Sequence, residues 1–161
     1  MDSLVEIFLE RAGNEIMAAE SLKKLSEEND AKEEFSLPED TTFYSSVISH
    51  SYYAIFYAAK AILLTKNIKT ASPEIHKRTF EEFKKNFVDN GMLDLQLLEI
   101  YRKMVVRADD LLDIFRDEKR KRGDFTYQTI PQANRGYADD SIKNAKTFVS
   151  NISNVIRKAK K

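Results

Sequence analysis

The sequence contains no cysteine and no tryptophan, and only 4 glycines and 3 prolines among 161 residues. Without cysteine the chain has no disulfide framework, no thiolate metal site and no thiol nucleophile. The lack of cysteine is compatible with the cytoplasmic location that we expect. Glycine and proline punctuate strands and turns, and together they usually make up about 12% of a chain. Their scarcity favours a few long helices.

The chain also lacks net charge, because 26 lysines and arginines balance 26 aspartates and glutamates. A polyanion site must therefore be a local cluster of cations. The apolar run from Ala58 to Leu64 is interrupted by Lys60 and is too short to cross a bilayer, and the N-terminal segment is too charged for a signal peptide. We expect no membrane association and a single domain over residues 1–161.

Apolar residues recur at intervals of three and four along five segments, which predicts five helices. The first runs from about Ser3 to Glu28, with Ser3 and Glu6 forming a capping box. The polar stretch 29–40 is predicted to be a loop. A second helix, from about residue 41 to 67, has little polar surface and is expected to be central.

Three more helices complete the prediction. A short third helix is opened by Ser72-Pro73 and ended by Asn90-Gly91. The fourth spans about residues 93–122 and is capped by Gly123, and the last begins near Pro131. The predicted fold is all-α, an antiparallel up-and-down bundle of about five helices.

Two groups of side chains could carry chemistry. His50, Tyr53, Tyr57 and Lys60 share one face of the second helix and could hold a nucleotide by stacking. Aromatic residues with a polar tip also commonly lie at the edge of a bundle core, and on chemistry alone this structural role is favoured. His76, in the first turn of the third helix, is expected to be exposed.

The second group is the basic run at the end of the fourth helix, followed by Asp124 and Tyr127. Arginine can bind phosphate through two hydrogen bonds, but cations in a last turn also complement the helix dipole. Motifs for a metal centre or a cofactor are absent, so we expect neither. The cations of this run are Arg116, Lys119, Arg120, Lys121 and Arg122.

Three features together resemble the HEPN family, in particular its small stand-alone prokaryotic members. They are the segment HSYYA at residues 50–54 with the Ala-rich run after it, the short helix opened by SPEIH at 72–76, and RKRGDF at 120–125 before a long last helix. The resemblance covers nearly the whole chain. It implies a five-helix bundle that usually forms a homodimer.

The resemblance also implies a function. Many HEPN proteins are metal-independent endoribonucleases, often toxins paired with a minimal nucleotidyltransferase antitoxin. Their motif is an arginine followed one or two turns later by a histidine. The arginine would neutralise the scissile phosphate and the histidine would transfer protons.

Carried over to this chain, Arg120 or Arg122 takes the arginine position, but no histidine lies between residues 125 and 130. Asp124 and Tyr127 are the nearest polar residues, and a tyrosine phenol is a poor base near neutral pH. The motif is thus incomplete. In the paired toxins a motif tyrosine can be adenylylated by the partner, and Tyr127 could inherit that role.

His50 could replace the missing histidine only if the second and fourth helices are antiparallel. If the third helix spans the bundle, those two run parallel and His50 lies about 20 Å or more from Arg120. The predicted function is a HEPN-type RNA- or nucleotide-binding module, with the toxin role open. The alternative is a non-catalytic helical dimerisation or interaction protein.

Overall fold

The computed structural model describes residues 2–112 and 134–161, which fold into six α-helices with no strand among them. The chain order is α1 (Ser3–Glu27), α2 (Asn29–Glu34), α3 (Tyr44–Leu64), α4 (Ile75–Phe83), α5 (Leu95–Leu112) and α6 (Arg135–Ala159). A single π-helical turn, Lys84–Val88, continues α4. The predicted all-α bundle is confirmed.

Long helices that follow one another along the chain run in opposite directions, and α6 also runs opposite to α1. Lys160 at the end of α6 donates to Glu6 in the first turns of α1, with 2.9 Å between the two atoms. Just beyond the end of α3, Lys66 donates to the Sδ atom of Met92, which precedes α5. At the other end of the bundle, Ile48 of α3 lines a groove with Leu111 of α5. Consequently α3 and α5 are antiparallel, and α4 is a short side element.

Helix α3 forms the centre of the bundle. It packs against α1, α4, α5 and α6. Its length and composition would suit a membrane span, but 72% of its most apolar window is buried inside the protein, as in a core helix. The prediction that the second helix is central is therefore confirmed.

Helix α3 occupies a shorter range than predicted, beginning at Tyr44 and ending at Leu64. Past its last turn, Asn67 adopts a left-handed backbone with φ 58°. The amide of Ile68 then donates to the carbonyl of Leu63 at 3.0 Å, the hydrogen bond of a Schellman motif.

Two of the predicted helix starts were wrong. Helix α4 begins at Ile75 instead of after Ser72, because Glu74 has a left-handed backbone that a helix cannot include. Helix α6 begins at Arg135 instead of near Pro131, because Asn134 is extended and caps the helix through its side chain.

At the N-terminus, the cap of α1 is Asp2, whose carboxylate accepts from the amide of Leu4 at 3.0 Å, and not the predicted Ser3. The polar segment 29–40, predicted to be a loop, contains α2. It has no apolar stripe, so periodicity could not reveal it. Its anchor is Lys32, which is 5% exposed and donates to the carbonyl of Glu39 at 2.5 Å.

One buried hydroxyl joins the end of α1 to the start of α3. Ser26 is 4% exposed, and its Oγ atom donates to the carbonyl of Leu22 and accepts from the amide of Phe43, both at 2.7 Å. Phe43 caps α3, so this hydrogen bond fixes where the central helix begins.

Replacing Ser26→Ala should lower the free energy of unfolding by about 1–3 kcal/mol, because the amide of Phe43 is left without a partner. Urea denaturation measures the change. The control is Ser21→Ala, where an exposed hydroxyl bonds only the carbonyl of Met17 and a change within about 0.5 kcal/mol is expected. Equal losses in the two variants would contradict this role for Ser26.

Candidate functional site

The predicted phosphate-binding segment lies outside the described residues. This applies to the two motif arginines and to the polar residues around them. The structure does describe the place where the two flanking helices, α5 and α6, meet. The predicted residues concerned are Arg116, Lys119, Arg120, Lys121, Arg122, Asp124 and Tyr127.

Helices α5 and α6 are joined there by Arg107. Its guanidinium donates to Ser141 Oγ at 2.8 Å, to Asp140 Oδ2 at 3.1 Å and to the carbonyl of Tyr137 at 3.3 Å. Its side chain is 12% exposed and that of Asp140 is 39% exposed, so charge-assisted hydrogen bonds hold a largely buried guanidinium beside a partly exposed carboxylate. Asp140 also pairs with Lys103 at 2.8 Å. Lys103 and then Arg107 hold the pKa of the Asp140 carboxyl below its usual range.

A groove of about 460 Å³ lies beside this network. It is formed by the beginning of α3, one face of α5 and the first turn of α6. Two of its apolar side chains are strongly exposed, Val106 at 61% and Tyr137 at 43%. Arg102 also lines it, and its guanidinium lies 5.8 Å from the ring centroid of Phe80.

The predicted His50 face lies on the opposite side of α3, against α1. His50 forms an ion pair with Glu15 of α1 through its Nδ1 atom. Tyr53 is half-buried, which raises the pKa of its phenol, and its ring lies 6.2 Å from that of Tyr57. Tyr57 stacks on Phe8 of α1 at 6.0 Å with 17° between the rings. The face is a contact surface between helices, partly open to solvent.

His76 belongs to the same cluster of rings. Its ring centroid lies 4.4 Å from that of Phe56, and its Nδ1 atom is 2.9 Å from the hydroxyl of the buried Tyr52. The expectation that His76 is exposed was wrong, because the helix starts later than predicted and its first turn packs on α3. Burial, and secondarily the charge of Lys60, lower the pKa of the His76 imidazole.

The antiparallel arrangement of α3 and α5 brings the His50 end of α3 to the end of α5. However, His50 is two residues from Ile48, which faces the groove, and two residues correspond to about 200° around a helix. The imidazole is also engaged by Glu15. In the described structure His50 therefore faces away from the groove between α3, α5 and α6.

Within residues 2–112 and 134–161, no group of three or more histidine, aspartate or glutamate side chains is arranged to hold a metal ion.

The described residues form an up-and-down bundle of four long helices, with the short α4 packed against α3. The family model described as "HEPN domain" matches residues 5–155. The chain belongs to the HEPN family.

Similar proteins are found in an archaeon and a bacterium. One from Methanocaldococcus jannaschii, named "Putative toxin", is 28% identical over 118 residues, which is 73% of this chain and 75% of the relative. A second protein of that name and organism is 38% identical over 60 residues, 37% of this chain and 39% of the relative. A "UPF0332 protein" from Thermotoga maritima is 27% identical over 116 residues, covering 72% of this chain and 75% of that protein. No solved structure matches the chain.

Sequence reasoning missed the contributions of α1 and α4 to the ring cluster. Phe8 and Arg11 are three residues apart and thus share a helix face, and this spacing can be read from the sequence. Nothing in the sequence says that this face meets Tyr57, where the guanidinium of Arg11 lies 5.6 Å from the ring centroid.

The lowered pKa of His76 predicts a pH-dependent stability. The unfolded state binds the proton more readily than the folded state. The contribution of the neutral His76 imidazole to the free energy of unfolding is therefore complete above about pH 6.5 and is lost as the pH falls below that value. We expect the free energy of unfolding to drop between about pH 7.5 and pH 5, and to drop less in His76→Gln.

Urea denaturation at both pH values measures this difference. His50→Gln is the matched control, since it leaves His76 in place and should retain the His76 contribution. The same pH dependence in wild type and His76→Gln would show that His76 is not responsible.

Proposed function

We propose that this HEPN protein is an RNA-binding module of the toxin type, acting through the cations that follow α5. Arg120 and Arg122 contact phosphate, with Arg116, Lys119 and Lys121 adding positive charge around them. Membership of the family and the names of the relatives support a toxin-like role. The chain has no net charge, so affinity for a polyanion has to come from such a local cluster.

The observation that carries this proposal is the junction of α5 and α6. Arg107 ties the end of α5 to Tyr137, Asp140 and Ser141 at the start of α6. The residues that flank the basic segment are thereby held together at one end of the bundle. A site fixed by charge-assisted hydrogen bonds between two helices is better preorganised than one on an isolated helix end.

RNA binding is better supported than cleavage. An arginine can neutralise a phosphate without help, but cleavage also needs a group that moves a proton near neutral pH. Tyr127 is poorly suited to that task, and His50 is held by Glu15 on the far side of α3. If the protein does cleave RNA, we expect a slow, metal-independent reaction.

The double variant Arg120→Ala/Arg122→Ala should bind single-stranded RNA more weakly, with a shallower dependence of affinity on salt, because two phosphate contacts are lost. Fluorescence anisotropy over a salt series measures both effects. Incubation with total RNA in EDTA, followed by electrophoresis, tests in parallel for cleavage that the double variant lacks.

The control is Arg157→Ala/Lys158→Ala, which removes the same charge from exposed positions in the last turn of α6. It should bind RNA like wild type. If both double variants bind equally, or if wild type shows no salt-dependent affinity, the proposed site is wrong.

Two further parts of the proposal concern partners. We infer a homodimer, as the family resemblance implies, with the groove beside Val106 and Tyr137 as a candidate contact. We also infer a minimal nucleotidyltransferase as the antitoxin, for which Tyr127 is the candidate site of adenylylation. Sedimentation equilibrium tests for the homodimer. Mass spectrometry after incubation with a nucleotidyltransferase encoded beside this chain tests for adenylylation of Tyr127. A monomer at all concentrations would count against the homodimer, and an unmodified Tyr127 would count against adenylylation by the partner.

The same groove favours a second candidate function, that of a non-catalytic interaction protein. Its exposed Val106 and Tyr137 would then pair with another chain, and the basic segment would only complement the helix end. This alternative predicts a stable complex without affinity for RNA. The anisotropy experiment therefore separates the two functions directly.

A further inference from the structure

Lys60 of α3 has surroundings unlike those of the lysines that form ion pairs. In the described residues, no carboxylate lies within ion-pair distance of it. Its Nζ atom lies 5.0 Å from the ring centroid of Phe8 and 5.7 Å from that of Phe56, and it donates to the carbonyl of Thr70 at 3.3 Å. By contrast, lysines paired with carboxylates are Lys23, Lys24, Lys84, Lys103, Lys146 and Lys160.

The ionisable groups beside Lys60 in the described structure are basic. Arg11 of α1 approaches the same Phe8 ring, at 6.0 Å from its centroid. His76 faces Lys60 from α4, and Lys69, which follows α3, lines a groove together with Lys60. Burial, and secondarily Arg11, lower the pKa of the Lys60 ammonium. A larger fraction of this amine is therefore neutral and nucleophilic near pH 7 than for an ordinary lysine.

Lys60 also opens onto an apolar groove of about 240 Å³. Leu4 and Phe8 of α1 form one wall, and Leu64 and Ile68 form the other. The groove is large enough for a short acyl chain, which would bury apolar surface there.

We propose that Lys60 is a site of acylation by small acyl thioesters, with the groove between α1 and the end of α3 holding the acyl chain. The neutral amine attacks the thioester carbonyl carbon, and a nitrogen–carbon bond forms as the carbon–sulfur bond breaks. The thiolate leaves with the electron pair, and the amine proton passes to solvent. The product amide is uncharged, so modification removes one of two neighbouring cations from an aromatic surface.

The proposal for Lys60 does not depend on the proposed function. Lys60 is 12 residues along α3 from Ile48 in the groove beside α5, which corresponds to about 18 Å of helix. Loss of RNA binding in the arginine variants would leave the reactivity of Lys60 unchanged.

The test is a timed reaction of the folded protein with acetyl and butanoyl thioesters of N-acetylcysteamine near neutral pH. Mass spectrometry of the digested protein gives the rate at each lysine. Lys69 is an internal control because it lines the same groove but is exposed. Lys66 is another, because its Nζ also lies over an aromatic ring, 4.5 Å from the ring centroid of Phe87, but at an exposed position.

Lys60 should react several-fold faster than Lys66 and Lys69, and the ratio should be larger for the butanoyl thioester. Arg11→Gln, at an exposed position, should slow the reaction of Lys60 and leave that of Lys69 unchanged. In urea the preference for Lys60 should disappear. The proposal is overturned if Lys60 reacts no faster than Lys69, if Arg11→Gln has no effect, or if the preference persists in the unfolded chain.

Discussion

The burial of α3 is the constraint on which the rest of the structure depends. This helix has few polar positions, and an apolar helix of its length must be covered on nearly every side. Helices α1, α4, α5 and α6 provide that cover. The antiparallel pairing of α3 with α5 follows, because the chain returns along α3 after the short α4. The end of α5, the start of α6 and the His50 end of α3 consequently meet at one end of the bundle.

The same packing places two nearby residues of α3 on different surfaces of the protein. Ile48 and His50 are close in sequence, yet one lines the groove beside α5 and the other pairs with Glu15 of α1. In the described residues His50 therefore faces Glu15 of α1 and not the groove beside α5. The aromatic face of α3 packs against Phe8 and Arg11 of α1. It forms a second surface, independent of the groove beside α5.

Apolar periodicity was sufficient to predict the long helices and the central position of α3, because burial imposes that pattern on the sequence. Periodicity failed where local backbone geometry or a single polar contact determines where a helix begins or whether it forms. Glu74 and Asn134 set helix starts through their backbone conformations, and the short α2 is anchored by the buried Lys32. The ring cluster around His76 could not be predicted, because it depends on how three helices pack together.

The central claim is that the chain binds RNA at the end of the bundle where α5 meets α6. Nuclear magnetic resonance of the isotope-labelled protein, titrated with a short single-stranded RNA, tests this claim most directly. We expect chemical-shift changes at the amides of Val106, Leu111 and Tyr137 that weaken as salt is added. Changes centred instead on the opposite end, around Lys66 and Asn86, or no changes at all, would contradict it.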